Sequence, residues 1–202
     1  MDKKELIAQR AAKEIFDGAL VNLGFGIPVL ISKYAKNAVL YGENGIIGYQ
    51  AGTSKNPNII DGGTNWAEVK KGTCFVDSAT SFAIVRGGHL DITVLGALQV
   101  SEKGDLANWS MSFSGVGGVG GAVDMATCAK KVIVAMEHVD RNGNPKIVKS
   151  CTFPLTAPEC VDLIITDMAV IEVRNGKLWL KELLNGCTFE EVQNCTGTLI
   201  SR

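Results

Sequence analysis

Apolar residues recur four apart at Ile7, Ala11 and Ile15, with Ala8, Ala12 and Phe16 beside them. That spacing predicts an amphipathic helix over residues 4–17, stopped by Gly18. Residues 19–23 predict a short strand, followed by the turn Gly24-Phe25-Gly26-Ile27-Pro28 and a helix through Tyr34. Residues 38–41 predict a second strand that ends in Gly42-Glu43-Asn44-Gly45. Residues 48–73 are rich in Gly, Asn and Pro and are expected to be mostly loop. Asp77 or Ser78 can cap a helix running to Arg86, which Gly87-Gly88 ends. Residues 92–95 and 131–136 read as buried strands, and the β-branched run of the second suits a sheet covered on both faces. Residues 170–180 predict a hairpin around Asn175-Gly176. Thr188 and Glu191 have the spacing of a capping box for a last helix. Strands alternate with helices and no repeat or linker interrupts them. The expected fold is a three-layer α/β sandwich with a mostly parallel, Rossmann-like sheet, in a single domain over residues 1–202.

Composition narrows the function. The chain carries 20 basic and 21 acidic residues, a net charge of −1, and no basic stripe of the kind a nucleic-acid binder shows. No apolar run reaches the ~18 residues of a membrane span. The start, Met1-Asp2-Lys3-Lys4-Glu5, leads into a charged amphipathic stretch, so a cytoplasmic location is expected. The six cysteines, at 74, 128, 151, 160, 187 and 195, form no Cys-x-x-Cys pair, and only His89 and His138 could assist them. Metal binding and disulfides are therefore not expected.

Glycine is the compositional outlier, with 23 residues in clusters. In Gly115-Val116-Gly117-Gly118-Val119-Gly120-Gly121, five of seven positions lack a side chain, which suits either close approach of a ligand to backbone N–H groups or a mobile surface loop. If Asp124 opens a short helix behind this run, its N-terminal dipole favours an anion. Gly24-x-Gly26 imitates the start of a dinucleotide fingerprint, but Leu30 and Ile31 lie where the third glycine belongs, so a tight strand-to-loop turn is the better reading. Glu43 follows a strand and is flanked by glycines, where α/β proteins place ligands. A solvated turn residue has the same local pattern. His89 and His138 read as caps or packed polar groups ahead of general bases.

Eight segments, in order, resemble the β subunit of family I coenzyme A transferases of the 3-oxoacid and acetoacetate type along nearly the whole chain. They are Leu23-Gly24-Phe25-Gly26-Ile27-Pro28; Glu43-Asn44-Gly45-Ile46-Ile47-Gly48; Ser81-Phe82-Ala83-Ile84-Val85-Arg86-Gly87-Gly88-His89-Leu90-Asp91; and Leu95-Gly96-Ala97-Leu98-Gln99-Val100. The remainder are Gly104-Asp105-Leu106-Ala107-Asn108-Trp109; Gly120-Gly121-Ala122-Val123-Asp124; Ala135-Met136-Glu137-His138; and Cys151-Thr152-Phe153-Pro154-Leu155-Thr156. The resemblance implies a transferase in which Glu43 is the nucleophile and passes through a glutamyl-CoA thioester, with ping-pong kinetics. It implies that Gly120 and Gly121 lie near the acyl group and CoA, and that Gly24 and Gly26 form a loop near the CoA moiety. Asn44 would orient Glu43 or its adduct. It implies no metal or redox cofactor, with coenzyme A itself as substrate, and an α-subunit partner in an α2β2 assembly. Acetate, butyrate, acetoacetate, succinate and 3-oxoadipate all remain open as the acids exchanged.

Three departures stand out. Gly42 replaces a common serine, Ser112-Phe113-Ser114 replaces a common Pro-Gly-Lys, and Val119 and Val123 replace methionines. The lost lysine removes a positive charge near the site and loosens the expectation of acetoacetate-type specificity. A thioester hydrolase using the same glutamate, or a non-catalytic CoA-binding subunit, are the alternatives.

Overall fold

The structure is a computed structural model that describes residues 2–52, 56, 58–112 and 118–202. In chain order its helices are α1 (Lys3–Ala12), α2 (Ile27–Leu30, continued by a 3-10 turn Ile31–Lys33), α3 (Ser78–Arg86), α4 (Ala122–Cys128) and α5 (Phe189–Asn194). Strands β1 (Leu20–Leu23), β2 (Val39–Tyr41), β3 (Ile46–Ala51), β4 (Ala67–Glu68), β5 (Cys74–Phe75) and β6 (Ile92–Leu95) lie in the first half. They are followed by β7 (Gln99–Ser101), β8 (Leu106–Ala107), β9 (Lys131–Ala135), β10 (Ile147–Val148), β11 (Leu163–Ile165), β12 (Ala169–Arg174), β13 (Lys177–Leu183) and β14 (Ile200–Ser201).

The large sheet runs β14-β13-β12-β11-β9-β6-β1-β2-β3-β4, with β5 also paired to β3. Its centre, β11-β9-β6-β1-β2, is wholly parallel. Both flanks turn antiparallel, through β3 on one side and the β12–β13 hairpin on the other. Successive side chains of a strand point to opposite faces, and both faces here are apolar. Val21, Ile92, Val94, Ile133 and Ile165 pack against Ile7, Ala8 and Ala11 of α1 and against Ile31. Val132, Val134 and Ile164 pack on the other side with Ala126 of α4 and Val192 of α5. This is the expected three-layer arrangement. A small sheet, β10-β7-β8, extends the second layer through Val100, Leu106 and Ile147.

The hairpin forms as its dipeptide predicts, with Asn175 at φ 53° and Gly176 at φ 67°. Thr188 and Glu191 make the full capping box, and Asp77 caps α3 through Thr80 N. One expectation fails, and another needs an addition. The first helix stops at Ala12 instead of running to residue 17, because Ile15 turns in to pack on the core while Phe16 faces solvent. The described residues of 48–73 are mostly loop as expected, but they open on the end of a six-residue strand, Ile46–Ala51, that the sequence did not mark. Tyr41 pairs with Ile47 and Leu40 with Tyr49, so Gly48 is the extra residue of a bulge, at φ 72°. A glycine in the left-handed region is what such a bulge requires, and in sequence it read as loop.

Candidate active site

Strands β1, β2 and β6 are adjacent and parallel, so their carboxyl ends open side by side. Gly24, Gly42-Glu43 and Gly96 follow those ends directly. An open cleft of about 400 Å³ forms there, and Glu43 lines it together with Gly24, Gly120 and Gly121. The topology thus gathers residues 24, 43, 120 and 121 from three separate stretches of chain.

Glu43 sits on the short connection from β2 to β3, closed by Gly42 N donating to Ile46 O at 2.8 Å and Gly45 N to Gly42 O at 2.9 Å. Its side chain is half-buried between two glycines. A β-carbon placed on Gly121 would stand 2.6 Å from Glu43 Cδ, and one on Gly62 would stand 2.7 Å from Glu43 Cγ. Real side chains do not approach that closely, so a side chain at either position would push the Glu43 side chain from where it lies. Among the described residues no hydrogen bond reaches the Glu43 carboxylate. Burial pushes its pKa above the ordinary glutamate range, and the negative charge of Asp124 adds to the rise.

Asp124 lies in the first turn of α4, whose cap is Gly121. The helix therefore opens at Ala122, ahead of the expected Asp124. Arg86 Nε donates to Asp124 Oδ1 at 2.6 Å, tying α3 to α4 beneath the cleft.

Two expected site residues stand outside the cleft lining. Gly26, at φ 88°, is the cap of α2 and serves the turn after β1. Asn44 is exposed and its amide donates to Ile60 O at 2.8 Å, so it holds the neighbouring loop. Gly42 suits its surroundings: a β-carbon there would meet Ile46 Cγ2 at 2.8 Å. Gly115–Gly117 of the glycine run and Phe113-Ser114 of the departing segment lie outside the described residues. Val119 reaches the cleft wall.

Three contributors escaped the sequence reading. Asn22 is buried in β1 beside Glu43's strand, donating from Nδ2 to Tyr41 O at 3.2 Å and accepting from Thr93 Oγ1 at 3.1 Å. Gly62 presses on Glu43 as described. Asp61, nearly buried, holds that glycine's turn by accepting from Gly63 N at 2.9 Å and Asn65 N at 2.8 Å. An Asp-Gly-Gly-x-Asn turn signature marked Asp61 and Gly62, and nothing local marked Asn22. His89 is exposed, and His138 is fully buried between Thr166 Oγ1 and Thr196 Oγ1, each 2.9 Å away. Burial pushes the His138 pKa down to about 4, so the ring is neutral. Among the described residues no group of three or more His, Cys, Asp or Glu could hold a metal.

Fold and site together define an α/β protein with a carboxylate-centred cleft at the ends of its parallel strands. The chain belongs to the coenzyme A transferase family, whose model matches residues 4–194. It is 43% identical over 196 residues to the acetate CoA-transferase subunit beta of Escherichia coli (strain K12), covering 96% of this chain and 91% of that one. It is 46% identical over 200 residues to a probable coenzyme A transferase subunit beta of Bacillus subtilis (strain 168), covering 96% and 92%. In fold it is similar to an acyl-CoA transferase of E. coli O157:H7 solved as a thioester complex with CoA, at TM-score 0.77 and 21% identity. That match covers 100% of this chain but 42% of the other. Glutaconate coenzyme A-transferase from Acidaminococcus fermentans matches at TM-score 0.76 and 19% identity, covering 98% of this chain and 85% of that one.

Proposed function

We propose that this chain is the nucleophile-bearing β-type subunit of a coenzyme A transferase, which moves CoA between a short-chain or 3-oxo acyl group and a free carboxylic acid. The observation that carries the reading is Glu43 itself: a half-buried carboxylate without a described hydrogen-bond partner, set between Gly62 and Gly121 at the strand ends.

A Glu43 carboxylate oxygen attacks the thioester carbonyl, and the C–S bond breaks to give a mixed anhydride and CoA thiolate. The thiolate then attacks the Glu43 carbonyl, the donor acid leaves as carboxylate, and a glutamyl-CoA thioester remains. The acceptor acid reverses both steps and restores the Glu43 carboxylate. Each step exchanges one nucleophile for one leaving group, so no net proton or electron is required. A carboxylate stripped of hydrogen-bonding water is a better nucleophile than a solvated one. Gly120 and Gly121 supply backbone N–H groups on the same wall, the kind of donor that stabilises an oxyanion. Gly24 lets β1 end tightly against Val94 and Leu95 at the cleft wall.

The partner is an α subunit in an α2β2 assembly. The relatives' names carry the word subunit, and Phe25, on the cleft wall, is 77% exposed, an apolar surface suited to cover by a second chain. Six free thiols accord with a cytoplasmic setting; no described helix is long and apolar enough to cross a membrane.

The test is mass spectrometry of the chain co-expressed with its partner subunit and incubated with short acyl-CoAs. A hydroxylamine-sensitive CoA adduct on the Glu43 peptide, lost in Glu43→Ala, is expected. Near-normal exchange by Glu43→Ala would sink the reading, and CoA release that needs no acceptor acid would make the enzyme a hydrolase.

A further inference from the structure

Tyr41 is the last residue of β2 and is followed directly by Gly42-Glu43. Its neighbour Leu40 faces the α1 layer, so Tyr41 points to the opposite face of the sheet. There it packs, fully buried, with Val85 of α3, Leu90 and Met125 of α4. Tyr41 and Met125 also reach the wall of the Glu43 cleft.

A phenol at such a depth needs a partner for its hydroxyl. Tyr41 Oη donates to the Ser81 carbonyl at 2.6 Å and meets the Ser81 hydroxyl as well. A helical carbonyl keeps a free lone pair for a bond of this kind. Ser81 is itself fully buried in α3, and among the described residues its hydroxyl is paired with Tyr41 alone. Burial pushes the Tyr41 pKa up, against a weaker pull from the Ser81 hydrogen bond, and the Glu43 charge adds to the rise, so the phenol keeps its proton.

This contact closes a ring of links around the nucleophile. From Ser81, α3 runs on to Arg86, whose Nε donates to Asp124 Oδ1 at 2.6 Å. Asp124 lies in the first turn of α4, and the cap of that helix is Gly121, whose backbone abuts the Glu43 carboxylate. The main chain from Glu43 back to Tyr41 completes the ring. Asn22 Nδ2 holds its outer side by donating to Tyr41 O at 3.2 Å. Arg86 is exposed, and an exposed ion pair holds weakly. The buried Tyr41–Ser81 pair is therefore the firmer tie.

We infer that Tyr41 is a positioning residue for the transferase reaction: through its hydroxyl on Ser81 it sets the gap between the Glu43 carboxylate and the Gly121 backbone. The inference rests on the transferase reading above. Glu43 reacts from one place against that backbone, and a misplacement near 1 Å at a reacting group costs about a hundredfold in rate.

The experiment compares wild type, Tyr41→Phe and the double variant Tyr41→Phe with Ser81→Ala, each co-expressed with the partner subunit. Melting temperature, the pH profile of kcat/KM and the single-turnover rate of glutamyl-CoA adduct formation are measured. Tyr41→Phe keeps the ring and its packing but strands the Ser81 hydroxyl. It should lose about tenfold or more in kcat and in adduct rate, with KM little changed. Its acid limb should move to lower pH, because a carboxylate freed from its seat regains water and loses part of the rise that burial gives it. Adding Ser81→Ala removes the stranded hydroxyl and should recover the melting temperature, since taking away both partners of a buried hydrogen bond is close to neutral. The double variant's kcat should stay low. Recovery of kcat together with melting temperature would make the pair merely structural and overturn the inference. A Tyr41→Phe enzyme with the wild-type adduct rate and acid limb overturns it too, and leaves the transferase reading intact. A wild type that forms no glutamyl-CoA adduct would overturn the transferase reading and this inference with it.

Discussion

The backbone of Gly121 lies so close to the Glu43 carboxylate that a single added methyl would stand 2.6 Å from its Cδ and 2.9 Å from its Oε1. One residue caps α4 and the other ends a β2 turn, so two distant parts of the chain meet with no room for a side chain between them.

Gly121→Ala must therefore displace Glu43 or the start of α4. A misplacement near 1 Å at a reacting group costs about a hundredfold in rate. The variant is expected to lose about that much kcat/KM while its circular dichroism and melting temperature stay close to wild type, because the atoms it meets are the end of the Glu43 side chain and not backbone. Full activity in Gly121→Ala would show that Glu43 need not sit against this backbone.

Glu43 must be ionised to attack, and both its burial and Asp124 raise its pKa. The acid limb of kcat/KM should therefore lie above the ordinary glutamate range. Asp124→Asn removes one of the two causes and should move that limb to lower pH. Arg86→Met leaves Asp124 without its 2.6 Å partner and should move it to higher pH. A pH profile that neither variant shifts would separate Asp124 from the chemistry.

Asp61 reaches Glu43 only through the turn that carries Gly62. Asp61→Ala removes the acceptor of the part-buried N–H groups of Gly63 and Asn65, which costs less than the about 1–3 kcal/mol of a fully buried donor left unpaired. Exchange activity should fall along with urea stability. A stable Asp61→Ala with wild-type kcat would show that the turn holds itself.

His138 gives a pH dependence of stability that is separate from activity. Its folded pKa, pushed down to about 4 by burial against a weaker opposing pull from Asp167, lies below the unfolded value of about 6.5. Above 6.5 both states are neutral and stability is full. As pH falls through this window the unfolded chain takes up the proton first, and stability drops by an amount approaching about 3 kcal/mol near pH 4. In urea melts between pH 7 and 4 the wild type should lose stability more steeply than His138→Gln; equal slopes would show that the histidine is not responsible.

Much of the layout was legible in the chain. Period-four spacing marked the first helix, β-branched runs marked Ile92–Leu95 and Lys131–Ala135, and the Asn-Gly and Thr-x-x-Glu signatures placed a hairpin and a cap. These are local effects, written within a few residues of where they act. Glu43 could be singled out because its glycine neighbours and its place after a strand are local too. Strand Ile46–Ala51 was missed because a bulge glycine and a loop glycine look alike until a partner strand supplies the register.

The sequence by itself therefore determined the central strands, the hairpin, the capped helices, the family resemblance and the glutamate at a strand's end. Tertiary structure alone decided what surrounds that glutamate. Asn22, the Asp61-Gly62 turn and the start of α4 with Gly121 and Asp124 come from three separate segments, and only the crossover order β9-β6-β1-β2-β3 brings them around one cleft. The same folding set Asn44 outward. Burial, charge proximity and steric exclusion depend on distances through space, and spacing along the chain does not encode them until the sheet is assembled.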